Sequence, residues 1–356
     1  METRLNPVSD FAAPPGRYLA EVIAEKGISQ AKLAIRLGRP SQAVNEIIKG
    51  KKEITSGTAL ALESVLGVSA RFWLGLEANF RIVKERLKED GAISAEIKLA
   101  RRYPVRDMVR LGWIAPARGM APIVTELRCF FGVASLTRVE LAEPAAFRRT
   151  RRRTASPYAL AAWLRRGKIS AAAVGTASFS KKNLMALIPR MRRMTGSTTP
   201  DFLSDLKRDL AATGVALAVV PCIRGTYASG AMHRIGPEKA VIQLSNRGKY
   251  GDMFWFSLFH EIGHVVLHKD GGVFIADQMD GDAKESAADR FARDRLLPPS
   301  VFGKFKAVGD FTARSVQRFA KETGVHPGVV VGRIQHEGLV RRFSLNELRI
   351  KYELAQ

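Results

Sequence analysis

Residues 254–270 read FWFSLFHEIGHVVLHKD, three histidines and a glutamate inside an otherwise apolar run. His260 and His264 stand four residues apart, and Glu261 follows the first of them. On a helix at about 100° per residue, with His260 at zero, His264 falls at about 40°, His268 at about 80° and Glu261 at about 100°. Trp255, Leu258, Phe259, Ile262 and Val266 fall between about 160° and 260°. One face is therefore rich in histidine and the opposite face is core. Two neutral imidazoles one turn apart reach a single Zn2+, and a carboxylate beside the first holds the water bound to that metal. Burying these groups without a partner would be costly.

A catalytic zinc takes a third protein ligand. The run ESAADRF (285–291) supplies it in Glu285, with 20 residues after His264 for a loop and a returning helix. Asp289, one turn further, is placed to accept from a ligating histidine and set its tautomer. The site read from the sequence is thus His260, His264 and Glu285 as metal ligands, Glu261 as catalytic base and Asp289 behind the first histidine. HExxH alone arises by chance in about 1% of chains this long, but chance does not also bring a downstream ExxxD. Gly263 leaves room for another backbone. His268 shares the polar face but lies too far along for the same metal. His233, His326 and His336 read as structural. Tyr227 and Tyr250 are both candidates to stabilise an oxyanion, with nothing in the sequence to choose between them.

The elements that must position these groups lie in residues 213–356. GVALAVVP (214–221) and KAVIQLS (239–245) are short, β-branched and bounded by Gly or Pro, hence strands, with TYASGAMHRI (226–235) as a third between them. The histidine helix, a Gly/Asp-rich loop, the ESAADRF helix and further helices follow. This is an α+β pattern with a small sheet.

Residues 1–90 read as short helices. Gly16–Lys26 has helical spacing of Leu19, Val22 and Ile23. ISQAKLAIRLG is a helix from a Ser29 cap to Gly38. After a tight turn a second begins at a Ser41 cap, with Val44, Ile47 and Ile48 inward. Gln42 and Asn45 face outward, and such amides bond two edge atoms of an adenine. Lys49, Lys51 and Lys52 follow for phosphate contact. The expected DNA-binding residues are Ser41, Gln42, Asn45, Lys49, Lys51 and Lys52. The last helix starts at a Ser69 cap and runs to about Glu89.

Residues 91–212 read as helices broken at Pro104, Pro116, Pro122, Pro144, Pro157, Pro189 and Pro200, one of them (158–167) ending at Gly167. The net charge of +23 concentrates here: residues 91–215 carry 23 basic and 8 acidic side chains, notably in FRRTRRRT (147–154) and PRMRR (189–193). Such a patch attracts polyanions, nucleic acid first.

At 356 residues the chain suits two or three domains, and at 46% hydrophobic and 26% charged it is globular in composition. Two cysteines far apart, Cys129 and Cys222, argue against a disulfide scaffold and for a reducing compartment. The N-terminus lacks a signal-peptide core, and runs such as GVALAVVP are too short to span a membrane. The expectation is a cytoplasmic protein with no membrane partner. The fold class is multidomain and mainly α: an all-α head, a helical middle and a C-terminal α+β zincin-like domain.

SQAKLAIRLG and SQAVNEIIKGKK resemble the Cro/repressor-type helix-turn-helix family, and PPGRYLAEVIAEKGISQ resembles the start of HigA-type antitoxins. HEIGHVVLH and ESAADRFARDRLLP resemble the two motifs of the ImmA/IrrE metallopeptidases. Residues 214–340 carry that second resemblance, although ARDRLLP departs from the commoner ending. It implies a zinc site of His260, His264 and Glu285 with Glu261 as general base, and cleavage of a cognate repressor or action beside a toxin–antitoxin pair. Two readings stay open. One is a regulator that binds operator DNA and cleaves a regulatory protein such as a repressor. The other is a non-enzymatic HigA-like antitoxin or repressor, with a structural or vestigial zinc and a cognate toxin as partner. A homodimer on paired half-sites is compatible with either.

Overall fold

Ser29 and Gly38 set the ends of one helix by purely local chemistry. The Ser29 hydroxyl accepts from the Lys32 amide at 3.2 Å. Gly38, at φ 61°, closes the helix in the left-handed conformation that glycine adopts without strain. The structure is a computed structural model that describes residues 14–143, 156–197, 201–245, 250–268, 274–276 and 283–352. The arginine run 147–154, Pro144 and Pro200 lie outside the described residues.

Two compact units divide the chain, Met1–Ile97 and Lys98–Gln356. The first contains α1 (Pro15–Glu25), α2 (Gln30–Leu37), α3 (Ser41–Ile48), α4 (Ser56–Leu66) and most of α5 (Ala70–Ala100), whose last residues belong to the second. Leu19, Leu33, Val44, Ile47, Leu62 and Trp73 close one core. Two expectations change. Ser41 is the first helical residue, and the N-cap is Pro40, which has no side-chain acceptor to offer. The last helix does not stop near Glu89 but continues to Ala100. Gly91 alone does not end it, because a single glycine costs a helix only about 1 kcal/mol.

The second unit opens with α6 (Val105–Arg110), α7 (Met120–Phe131), α8 (Val139–Ala142), α9 (Pro157–Ala172), α10 (Lys181–Met194) and α11 (Phe202–Ala211). The run Met120–Ala142, 23 residues with an 18-residue window of mean hydropathy 1.2, is long and apolar enough to cross a membrane by length and composition, contrary to expectation. Here the chain turns at Gly132, and Ile123, Val124, Leu127, Phe130 and Phe131 are buried. Pro189 does not break its helix either. Leu184, Ile188 and Met191, at i, i+4 and i+7, bury in the core and carry α10 across the lost hydrogen bond. Pro122 sits in the first turn of α7, where no amide partner is lost.

The sheet follows: β1 (Val215–Val220), β2 (Gly230–Ile235) and β3 (Lys239–Ser245), then α12 (Gly251–Leu267) and β4 (Phe274–Ala276). Its order is β1-β3-β2-β4, with β1 parallel to β3 and β2 antiparallel to both β3 and β4. β4 lies in what the sequence suggested was only a loop. α13 (Ala283–Leu296), α14 (Pro299–Val308), α15 (Ala313–Thr323) and α16 (Pro327–His336) complete the unit.

The sheet separates two packed layers. On one face Leu217, Met232, Ile242 and Leu244 meet Trp255, Leu258, Phe259 and Ile262 of α12. Each such fully buried side chain contributes about 1.5–3 kcal/mol. On the other face lies α9, which does not end at Gly167. Gly167 is instead its contact point: a Cβ there would collide with the Gln243 amide, whose Nε2 donates to Trp163 O at 2.7 Å.

Candidate metal centre and DNA-reading helix

α12 buries its apolar side against the sheet; His260 and His264 turn toward α13, the helix it packs against most extensively, and Glu261 turns toward Gly230 of β2. Gly263 makes that approach close: a Cβ there would sit 3.1 Å from Ala288 Cα. The two helices thus bring together the pieces that the sequence holds 20 residues apart. His264 Nε2 lies 3.0 Å from His260 Nε2 and 3.5 Å from Glu285 Oε2, and His260 Nε2 lies 3.1 Å from that same oxygen. His260 Nδ1–H donates to Asp289 Oδ1 at 2.7 Å.

Charge and burial decide what this corner accepts. Burial works against a charged His260, but the Asp289 and Glu285 carboxylates on its ring nitrogens outweigh it, and its pKa rises to about 10. Burial lowers the pKa of His264, with Glu285 opposing. Burial pushes Glu285 up, yet the two imidazoles hold it well below the usual carboxylate range. The corner therefore favours positive charge. Three acceptor atoms facing one another need a cation or a proton among them. Their separations match the edge of a zinc tetrahedron, about 3.3 Å for ligands at 2.0–2.1 Å. His260, His264 and Glu285 thus fit a zinc ion by donor type, by spacing and by the Asp289 contact that fixes the His260 tautomer.

In the first unit, Ser41 and Gln42 are exposed on α3, Asn45 is partly so and Lys49 is exposed at its C-cap, opposite the buried Ala43, Val44 and Ile47. Lys51 and Lys52 are exposed in the turn behind Gly50, and both their amides donate to Glu46 O, at 2.8 and 3.1 Å.

Two family models match the chain. Residues 19–73 match a helix-turn-helix family, and residues 225–335 match a peptidase family described as the IrrE N-terminal-like domain. The chain carries a helix-turn-helix head and an IrrE-like peptidase domain. The second match suggests a metallopeptidase. Among solved structures, an addiction module antidote protein of a HigA family from Coxiella burnetii is 31% identical, with 24% of this chain and 94% of that one covered at a TM-score of 0.22. The Pseudomonas aeruginosa antitoxin HigA with higBA promoter is 28% identical, with 24% and 95% covered at a TM-score of 0.23. No curated protein matches the chain.

The IrrE-like domain uses further residues that the sequence reading missed. Gly230, the first residue of β2, faces Glu261, and a Cβ there would collide with the Glu261 carboxylate. Lys181 Nζ donates to Val266 O and Arg234 Nη2 to Val265 O, both at 2.9 Å, so two cations hold the C-terminal end of α12. No local signal marks these contacts, which come from β2 and α10. His268 is the C-cap rather than part of the helical face, and its ring centroid lies 5.4 Å from that of His264. Tyr250 caps the opposite end of α12 under the Arg349 guanidinium, which lies 3.8 Å from the ring centroid. Ten residues of helix, about 15 Å, separate Tyr250 from His260. Tyr227 lies three residues before Gly230 in the chain. His326 is structural: its Nδ1 accepts from the Gly328 amide at 3.0 Å.

Proposed function

We propose that the protein is a cytoplasmic regulator that binds operator DNA through its helix-turn-helix head, as a homodimer on paired half-sites. Its IrrE-like domain then acts as a zinc-dependent endopeptidase on a regulatory protein such as a repressor. The supporting observation is the convergence of His260, His264 and Glu285 ligand atoms within 4.8 Å of one another, beside Glu261. In this reading these three side chains hold the zinc ion, and Asp289 keeps the His260 proton on Nδ1. Zinc, when bound, supplies Lewis-acid activation of a peptide carbonyl and of water. Glu261 takes a proton from the attacking water on its carboxylate and hands it to the leaving amine. The wall at Gly230 fixes where that carboxylate sits. Gln42 and Asn45 read base edges, while Ser41, Lys49, Lys51 and Lys52 contact the backbone.

The test compares cells that express the wild type with cells that express Glu261→Gln, with new protein N-termini labelled in each. Wild-type-specific termini are expected, together with equal zinc content in the two purified proteins. Identical termini in both would sink the endopeptidase reading. Zinc binding without cleavage by either protein would leave the non-enzymatic antitoxin or repressor with a cognate toxin.

A further inference from the structure

The face that α3 turns outward carries a carboxylate that the phosphate-binding role does not explain. At about 100° per residue from Ser41, Asn45 falls at about 40°, Lys49 at about 80°, Gln42 at about 100° and Glu46 at about 140°. The buried Ala43, Val44 and Ile47 fall between about 200° and 300°. Glu46 is therefore beside Gln42 on the exposed arc. It is partly exposed, and its Oε1 accepts from Gln42 Nε2 at 3.0 Å. Its own carbonyl also ties in the amides of Lys51 and Lys52.

A negative charge on this arc opposes the attraction of Lys49, Lys51 and Lys52 for phosphates unless it finds a donor on DNA. Guanine offers only acceptors in the major groove, as does thymine apart from its methyl group. Adenine sets an acceptor beside its amino group, whereas cytosine offers an amino donor alone. A carboxylate thus fits cytosine best: adenine offers a donor but sets an acceptor beside it, and guanine and thymine offer only acceptors. One Gln42 amide hydrogen lies on Glu46, which leaves its second hydrogen and Oε1 for the two edge atoms of an adenine.

We propose that Glu46 is a base-reading residue that holds the Gln42 amide in place and accepts a hydrogen bond from the amino group of a cytosine in the operator's major groove. This rests on the DNA-binding reading of the head. The experiment selects duplexes from a randomised pool with the full-length wild type, Glu46→Gln, Glu46→Ala and Gln42→Ala. The wild type should enrich a site with a cytosine next to the position that Gln42→Ala relaxes. Glu46→Ala should lose the cytosine preference by roughly tenfold, and bind unselected duplex more tightly because one negative charge is gone. Glu46→Gln, which keeps shape and amide contact, should move the preferred base from cytosine toward adenine. It keeps the test open should the alanine variant unfold. Unchanged base preferences in both Glu46 variants overturn the proposal while operator binding stands. A wild type that enriches no duplex overturns the DNA-binding reading itself, and this role with it.

Discussion

The Nδ1–H of His260 donates to Asp289 Oδ1 at 2.7 Å, one turn beyond Glu285 on the neighbouring helix. In the neutral ring this bond leaves Nε2 as the lone-pair nitrogen, aimed at His264 and Glu285. Asp289→Ala frees the ring to change tautomer. Zinc affinity should fall about 10- to 100-fold, measured by competition with a chromophoric chelator. An unchanged affinity would show that Asp289 does not set the ligand.

Gly230 predicts a separation of metal binding from chemistry. Gly230→Ala drives a methyl group into the Glu261 carboxylate, and the three nearest atoms it would meet all belong to Glu261. Peptide cleavage should fall by about 100-fold or more, the scale of a misplaced proton-transfer group. Zinc stoichiometry should stay at the wild-type value. Loss of zinc together with cleavage would mean that the strand, rather than the base, had moved.

His233 sets an acid limit on stability. It is buried on β2, and burial, then Lys168, lowers its pKa from 6.5 to about 4. Its folded pKa lies below its unfolded value, so the unfolded chain binds the extra proton first. The contribution is whole above pH 6.5 and is lost as pH falls toward 4. Wild type should lose roughly 2 to 3 kcal/mol more than His233→Met between pH 7 and 4.5, read from urea midpoints. Parallel losses in the two proteins would sink this account.

Lys51 and Lys52 are exposed behind α3 and anchored by their own backbone amides. If both meet phosphates, each lysine-to-alanine change should flatten the plot of log affinity against log salt by about 0.9, with base preference retained. Altered base preference would place them in the groove instead.

Several basic side chains of the middle segment have partners within the protein. Arg190 pairs with Asp209 at 2.7 Å, Arg192 donates to Thr323 O at 2.8 Å and Arg165 to Phe130 O at 2.8 Å. Counting charges along a chain does not reveal such partners, since they lie far away in sequence.

By itself the sequence determined whatever depends on neighbours within a turn or two. The i, i+4 histidines, the Ser29 cap, the Gly38 stop and the β-branched strands are of this kind, because capping and helical periodicity act over a few residues. The pairing of ExxxD with HExxH was also legible, although only as a supply of the missing ligand. Tertiary structure alone decided where glycine and proline lose their ordinary meaning. Gly167 and Pro189 lie inside helices because Gln243 needs the space at one and core burial outweighs the lost hydrogen bond at the other. It also decided that Gly230 walls Glu261, that Tyr250 lies a helix length from the histidines and that Lys181 and Arg234 hold the end of α12. These are through-space contacts between elements, fixed by how the two faces of one small sheet are covered, and local spacing carries no record of them.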